Sequence, residues 1–348
     1  MRYGILLVAA VSIAAAPPVP PNKFSEAIGF ALQADEVSAL KALDGVDVSS
    51  LPERDQGAAG CMIERFGPQS KAAGAASESL ADQALAIYRH YWHSAMMRPE
   101  RREAEEQQLA AQLRQLLDAP KEADLDALEP ILSKTLEKEG LYSLQGQTGL
   151  LRELMIWSKQ EQRAMHASLP EGEQDVTVML LDGFKSLGWG AYATCDRAST
   201  GGWATESALF AVVPKYQSLD AEEFRVTFLG HEGQHFADKA RFKNLKSWEL
   251  EYRAKLTELA QADVTRAKVL GKFMTDQGDN PASPHSYANR HVLTAMVQKL
   301  HLAGADDLSS AAAAQVQSAA VELLREDSAR RVAAGEGSDV EPQLGQGS

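Results

Sequence analysis

The sequence predicts a mixed α plus β protein, mainly helical, in which a small, mostly antiparallel sheet leads into a metal-binding helix. Apolar residues recur at helical spacing between Phe24 and Leu150 and again toward the C-terminal end. After Leu150 the patterning changes to that of strands. That stretch runs into Phe228-Leu229-Gly230-His231-Glu232-Gly233-Gln234-His235-Phe236-Ala237-Asp238, which contains one H-E-x-x-H. At 348 residues the chain can build two or three packed subdomains and a sizeable core. Its 48 Asp and Glu outnumber 35 Lys and Arg, and the net charge of -13 repels phosphate backbones and anionic headgroups. Nucleic acid is therefore disfavoured as a partner.

Residues 1–16 combine one positive charge at Arg2 with a short apolar run from Gly4 to Ala16, which describes a secretory signal peptide. Pro17 directly after Ala16 favours cleavage after Ala14 or nearby; the alternative is an uncleaved tethering segment. The run is short for a bilayer, so no stable membrane span is expected after its removal, and the chain is expected to be secreted or periplasmic. A proline-rich linker covers residues 17–23. Only Cys61 and Cys195 are present, and export would favour their oxidation to one disulfide; the alternative is two separate buried thiols.

The helical region is placed at residues 24–150. Phe24, Ile28 and Leu32, then Val37, Leu40 and Leu43, repeat at helical spacing until Gly45. Pro52 to Phe66 reads as a weaker helix because of Gly57 and Gly60. A long helix runs from Ser77 through Leu80, Ala84, Tyr88 and Trp92 to a break at Pro99, with a charged continuation to Leu117. Another spans Leu125 to Leu136, with Pro130 as a candidate kink. His90 and His93, set among Tyr88, Tyr91 and Trp92, fit a packing face better than a metal pair. Arg98, Arg101 and Arg102 followed by Glu103, Glu105 and Glu106 read as an internally paired face.

Residues 151–332 are placed as a metal domain with C-terminal helices. Leu151 to Trp157 is apolar and ambiguous, whereas Arg163–Leu169 and Asp175–Leu181 flank a turn at residues 170–174 and predict a hairpin. Gly188–Thr194 and Trp203–Val213 supply two further strand candidates, separated by Gly201 and Gly202. Beyond the motif, a polar loop from Asp276 to Pro284 precedes a helix reaching about Leu302, and an alanine-rich helix covers Ser309 to Val332. Residues 333–348 are small, polar and acidic, and read as a disordered tail.

Positions four apart stack on one face of a helix, so His231 and His235 can grip one Zn²⁺. Glu232 then projects beside the metal, where it can take a proton from a water that the metal activates. This pattern resembles the zincin metallopeptidases. Asp238 and Arg241 stand where the metzincin-like extension carries glycine and a third ligand, which excludes that subclass. The third ligand is sought in Ser247-Trp248-Glu249-Leu250-Glu251-Tyr252-Arg253-Ala254, with Ser247 as the cap of a new helix. Glu251 and Ala254 resemble the E-x-x-A element that supplies the glutamate ligand in gluzincin-like peptidases; the resemblance covers about Trp203 to Ala260.

At about 100° per residue Glu249 and Glu251 point to nearly opposite sides of their helix, so only one can face the metal. Glu249 lies near the apolar stripe of Trp248, Tyr252, Leu256 and Leu259, where a buried carboxylate needs a metal or a cation. Glu251 shares its side with Ala254, which permits close approach, and with Glu258, which can orient a metal-bound histidine. Glu251 is preferred and Glu249 is the alternative; Ser247 and Lys255 beside Glu251 would suit a solvated face. His285 and Tyr287 are the candidate donors to the oxyanion. The resemblance implies a zinc-dependent metallopeptidase acting on a peptide or protein substrate, with Glu232 as general base and a sheet edge, placed at Ala208–Val213, holding the substrate as an extended strand. The alternative is a non-catalytic envelope scaffold with a structural or vestigial metal site.

Overall fold

The computed structural model describes residues 23–68, 79–281 and 283–335. The expected signal peptide, nearly all of the linker and the tail beyond Gly335 lie outside the described residues. The fold is mainly helical α plus β. Among the described residues no helix is long and apolar enough to cross a membrane.

The first layer is helical: α1 (Lys23–Ala31), α2 (Glu36–Leu43), α3 (Glu53–Phe66), α4 (Leu80–Met97), α5 (Arg102–Leu117) and α6 (Leu125–Lys138). Asp35, Ser79 and Asp124 cap their helices by accepting the N–H groups of Ser38, Asp82 and Ala127. Chain breaks fall where expected, with a 3₁₀ turn at Pro99–Arg101 dividing α4 from α5. The buried side of α1 and α2 differs from the predicted stripe. Phe24, Ala27, Ala31, Ala39 and Leu43 face the core, whereas Leu32 and Val37 are exposed, because the small alanines allow these two helices to pack closely. His93 stacks on Phe66 with ring centroids 5.4 Å apart, which is the packing role its aromatic setting suggested.

The sheet comprises β1 (Tyr142–Thr148), β2 (Leu151–Leu169), β3 (Gly172–Leu187), β4 (Gly202–Ala204) and β5 (Leu209–Val212), in the order β1-β2-β3-β5-β4. Its pairings are antiparallel except that of β3 with β5. Strand β1 occupies the end of the region read as helical; Gly146 and Gly149 adopt positive φ there, and Tyr142 stacks on Trp157 of β2. Leu151, Leu154 and Ile156 of β2 join the helical core, so its start is a buried strand. The hairpin forms as predicted, with longer arms around Pro170–Glu171.

Two strand expectations are corrected. Residues Trp189–Ala193 form a short helix, α7, because Gly188 turns the chain at φ +88° and the buried Glu153 carboxylate accepts the Trp189 N–H at 3.0 Å. Trp203–Val213 divides into the hairpin β4–β5, since the Thr205 hydroxyl accepts the Ala208 N–H and the Thr205 N–H donates to the Ala208 carbonyl. Consequently β5 is interior and β4, not Ala208–Val213, is the sheet edge on this side, β1 being the other.

The chain then passes through α8 (Glu222–Phe224), a π-helical turn (Arg225–Gly230), α9 (His231–Arg241), α10 (Ser247–Gln261), α11 (Arg266–Thr275), α12 (Pro284–Lys299) and α13 (Ala313–Ala334). Trp248, Leu256, Phe273, Met296 and Leu324 belong to a second helical core around α10. Ala167, Val178, Leu209, Phe224 and Phe228 fill the space between the sheet and α9. A Cβ at Gly233 would lie 2.6 Å from that of Ala167, so glycine inside the motif lets α9 lie directly on β2.

Cys61 and Cys195 form the disulfide, tying α3 to the segment after α7 across a separation of 134 residues. Closing a loop of that length removes about 5 kcal/mol of unfolded-chain entropy. Replacing both cysteines by serine should lower the unfolding free energy by about 3–5 kcal/mol in urea titrations; a loss below about 1 kcal/mol would contradict this coupling.

Candidate metal centre

Helices α9 and α10 run antiparallel and are joined by buried polar contacts. His231 Nδ1 lies 2.6 Å from Glu258 Oε1, the Thr257 hydroxyl donates to Gln234 at 2.8 Å, and Arg253 Nε donates to Asp238 at 2.8 Å. Gln234 also donates to Asp238 at 2.9 Å. Ala254, whose small side chain suits a close helix contact, is fully buried.

Within this seam His231, His235 and Glu251 are all buried, and their ligand atoms lie within 4.8 Å of one another. The two Nε2 atoms are 3.1 Å apart. Glu251 Oε1 is 3.2 Å from His235 Nε2, and its Oε2 is 3.6 Å from His231 Nε2. This group could hold a metal ion. With Glu258 accepting the Nδ1 proton of His231, the Nε2 lone pair is aimed at the other two ligands, so the tautomer is fixed from behind. His235 Nδ1 is buried without a hydrogen-bond partner.

The metal-free centre holds a proton in place of a cation. Burial pulls the His231 imidazole down, but Glu251 and Glu258 outweigh it and raise it to about 10. Burial likewise pushes Glu251 up, but His231, His235 and His285 hold its carboxylate far below the usual range.

The structure decides between the two glutamates. Glu251 faces the histidines, whereas Glu249 accepts the Lys246 N–H at 2.7 Å and pairs with Arg331 at 3.0 Å. The cation that its buried position requires is therefore an arginine from α13. Glu249 also caps α10 through Lys246, which displaces Ser247 from that role. Lys255, placed on a solvated face by sequence, is buried, with Nζ 3.5 Å from Glu251 Oε2 and 5.1 Å from the Phe273 ring centroid.

Of the two donor candidates, only His285 reaches the centre. Its Nδ1 lies 2.8 Å from Glu251 Oε2 while its side chain stays 66% exposed, so it marks the open side of the site. Tyr287 instead packs edge-on against Trp248 and His291 and is not brought to the ligands. A different phenol approaches the motif. Tyr216 packs on Phe224 and Phe228 and donates to the Gly201 carbonyl at 3.0 Å. Burial, and then the charges of Glu232, Glu223 and Glu258, push its pKa well above the ordinary phenol value and keep it protonated. Sequence carried no signal for Tyr216, because its proximity to Glu232 depends on the turn through α8.

In comparison with known proteins the chain has no significant match to a family model, a curated protein or a solved structure.

Because His231 must release its proton to accept a metal, divalent-metal affinity should rise about tenfold per pH unit between about pH 7 and 9 and level off near pH 10. Chelator competition would measure this, and a flat profile would refute it. In the metal-free protein the same raised pKa means that this stabilisation is complete below about pH 6.5 and lost as pH rises through about 10.

The glutamates should separate cleanly. Glu251→Ala should lose metal binding, whereas Glu249→Ala should keep it and lose about 3 kcal/mol of stability by leaving the buried Arg331 with Asp327 in place of two carboxylate partners. Metal titration and urea unfolding of both variants provide the check; the reverse pattern would make Glu249 the ligand.

Proposed function

We propose that the chain is an exported zinc-dependent metallopeptidase. The observation that carries this reading is the convergence of His231, His235 and Glu251, with Glu258 fixing the first histidine and Glu232 next to it on the same helix. A tetrahedral zinc with bonds of about 2.0–2.1 Å needs ligand atoms about 3.3 Å apart. The separations of 3.1, 3.2 and 3.6 Å bracket that edge, so the residues fit the ion. Two nitrogens and one carboxylate oxygen are the donor set of an open zinc site. The Cys61–Cys195 bond supports an oxidising compartment.

When bound, zinc supplies Lewis acidity to a scissile carbonyl and to the attacking water. The chain's own groups do the rest. Glu232 receives the proton of the attacking water on its carboxylate and passes it to the leaving amine nitrogen. His285, at the open side, can donate to the developing oxyanion, a role that the position of Tyr287 does not support. The substrate backbone is held along β4, the sheet edge.

Glu232→Gln keeps the shape of the centre and removes the base. Zinc content should stay at about one ion per chain while hydrolysis of a broad peptide library falls by at least about a hundredfold. Turnover retained in Glu232→Gln would refute the role of Glu232. Zinc in both forms with turnover in neither would favour the envelope scaffold with a structural metal.

A further inference from the structure

Strand β4 is short, and its inner side is fixed by two bonds. The Gly201 carbonyl accepts the Val212 N–H, and the Thr205 N–H donates to the Ala208 carbonyl, both at 2.9 Å. Backbone groups alternate along a strand, so Gly201, Trp203 and Thr205 point toward β5, while Gly202 and Ala204 point outward. The outward pair at Gly202 is already occupied. The Thr200 hydroxyl donates to the Gly202 carbonyl at 2.6 Å and accepts the Gly202 N–H at 3.1 Å.

One oxygen thus supplies the donor and the acceptor that a single residue of an antiparallel strand would supply, since such a residue exchanges both hydrogen bonds with its partner. This edge lies beside the metal helix. A Cβ at Gly202 would fall 2.3 Å from the Phe228 ring, and Phe228 is three residues before His231. Gly201 beside it is held by Tyr216, whose phenol senses the charge of Glu232.

We propose that Thr200 is a displaceable stand-in for substrate: its exposed hydroxyl occupies the Gly202 pairing position, and an extended polypeptide binds antiparallel to β4 by exchanging its own N–H and C=O for that hydroxyl. The inference rests on the peptidase reading for its choice of ligand. It assigns Thr200 a specificity role, because only a chain with a free backbone N–H at this position can make the exchange. In the free protein the same hydroxyl blunts an edge that would otherwise invite pairing with other strands.

The test uses full-length protein carrying Glu232→Gln, so that peptide is not cleaved, and a fluorescein-labelled decapeptide of alternating alanine and threonine with blocked termini. Adding Thr200→Val removes the competing hydroxyl and should tighten binding about fivefold to tenfold, the exchange value of two modest hydrogen bonds. Thr200→Ser should bind like the parent, and the same peptide N-methylated at alternate residues should show no gain with Thr200→Val. A thermal melt unchanged between the valine and serine variants establishes that the edge is intact; if valine unfolds the edge, faster hydrogen exchange of the Gly202 amide, with protection restored by the peptide, supports the proposal in its place.

Equal or weaker binding by Thr200→Val, a gain that survives N-methylation, or no binding by any form would overturn the proposal. So would concentration-dependent dimerisation of Thr200→Val without a peptide gain, which would assign the edge to a second copy. Zinc content is read in parallel. Peptide gain without zinc would leave strand pairing standing and remove the peptidase reading, and zinc-dependent hydrolysis without the gain would do the reverse.

Discussion

The register of α9 against α10 sets the metal centre, and it is locked by Arg253. This guanidinium is fully buried and would be costly to desolvate alone, yet it donates to Asp238 on the metal helix, to Asp327 and Ser328 on α13, and to Glu171 at the tip of the β2–β3 hairpin. Three separate parts of the chain are therefore drawn to one side chain of α10. A guanidinium presents its donors in a fixed fork, so it fixes orientation as well as distance. With Asp238 pinned, the helix cannot rotate without breaking buried charge-assisted bonds, and His231 and His235, about two turns and one turn before it, are held toward Glu251.

The opposite side of α9 is fixed by shape. Gly233 admits the Ala167 side chain of β2, and Gly202 admits Phe228, so the helix is held between a sheet and a helix with little lateral freedom. Larger residues at either glycine would separate the layers. The sheet edge and the metal centre are thereby brought together by two absences of side chain, while the polar contacts are kept for the α10 face.

Local chemistry was legible in the sequence, and partners distant in the chain were not. The spacing of His231 and His235, the small Ala254 and the reach of Glu258 all follow from helix periodicity, and each holds in the structure. The hairpin arms and the pairing of Cys61 with Cys195 were readable for similar reasons, one from turn residues and the other from cysteine count. By contrast, Glu249 could not be assigned from its own helix, because the arginine that satisfies it is Arg331 on α13. Lys255 resembled a surface residue until Phe273 and Glu251 enclosed it. Strand Trp203–Val213 looked continuous because its turn is made by a threonine hydroxyl rather than by glycine or proline. Tyr287 had the right chemistry, but Trp248 and His291 compete for its ring.

Two buried ionic clusters share the same helix pair, and their charge balance distinguishes them. In the first, Arg253, Arg331 and the partly exposed Arg330 and Arg241 meet Asp238, Asp327, Glu249 and Glu171, so that four cations face four carboxylates and no further ion is needed. The second brings Glu251 and Glu258 to the histidines, with Lys255 contacting Glu251. Two carboxylates against one contacting ammonium leave the histidines in a negative setting that suits a cation. Burial pulls the His231 imidazole down, but these carboxylates raise it to about 10. Burial also strengthens their field, since charges in a poorly solvated site are weakly screened. The arginine cluster thus balances its charge within itself, whereas the histidine cluster keeps a negative setting in which a metal ion could be held.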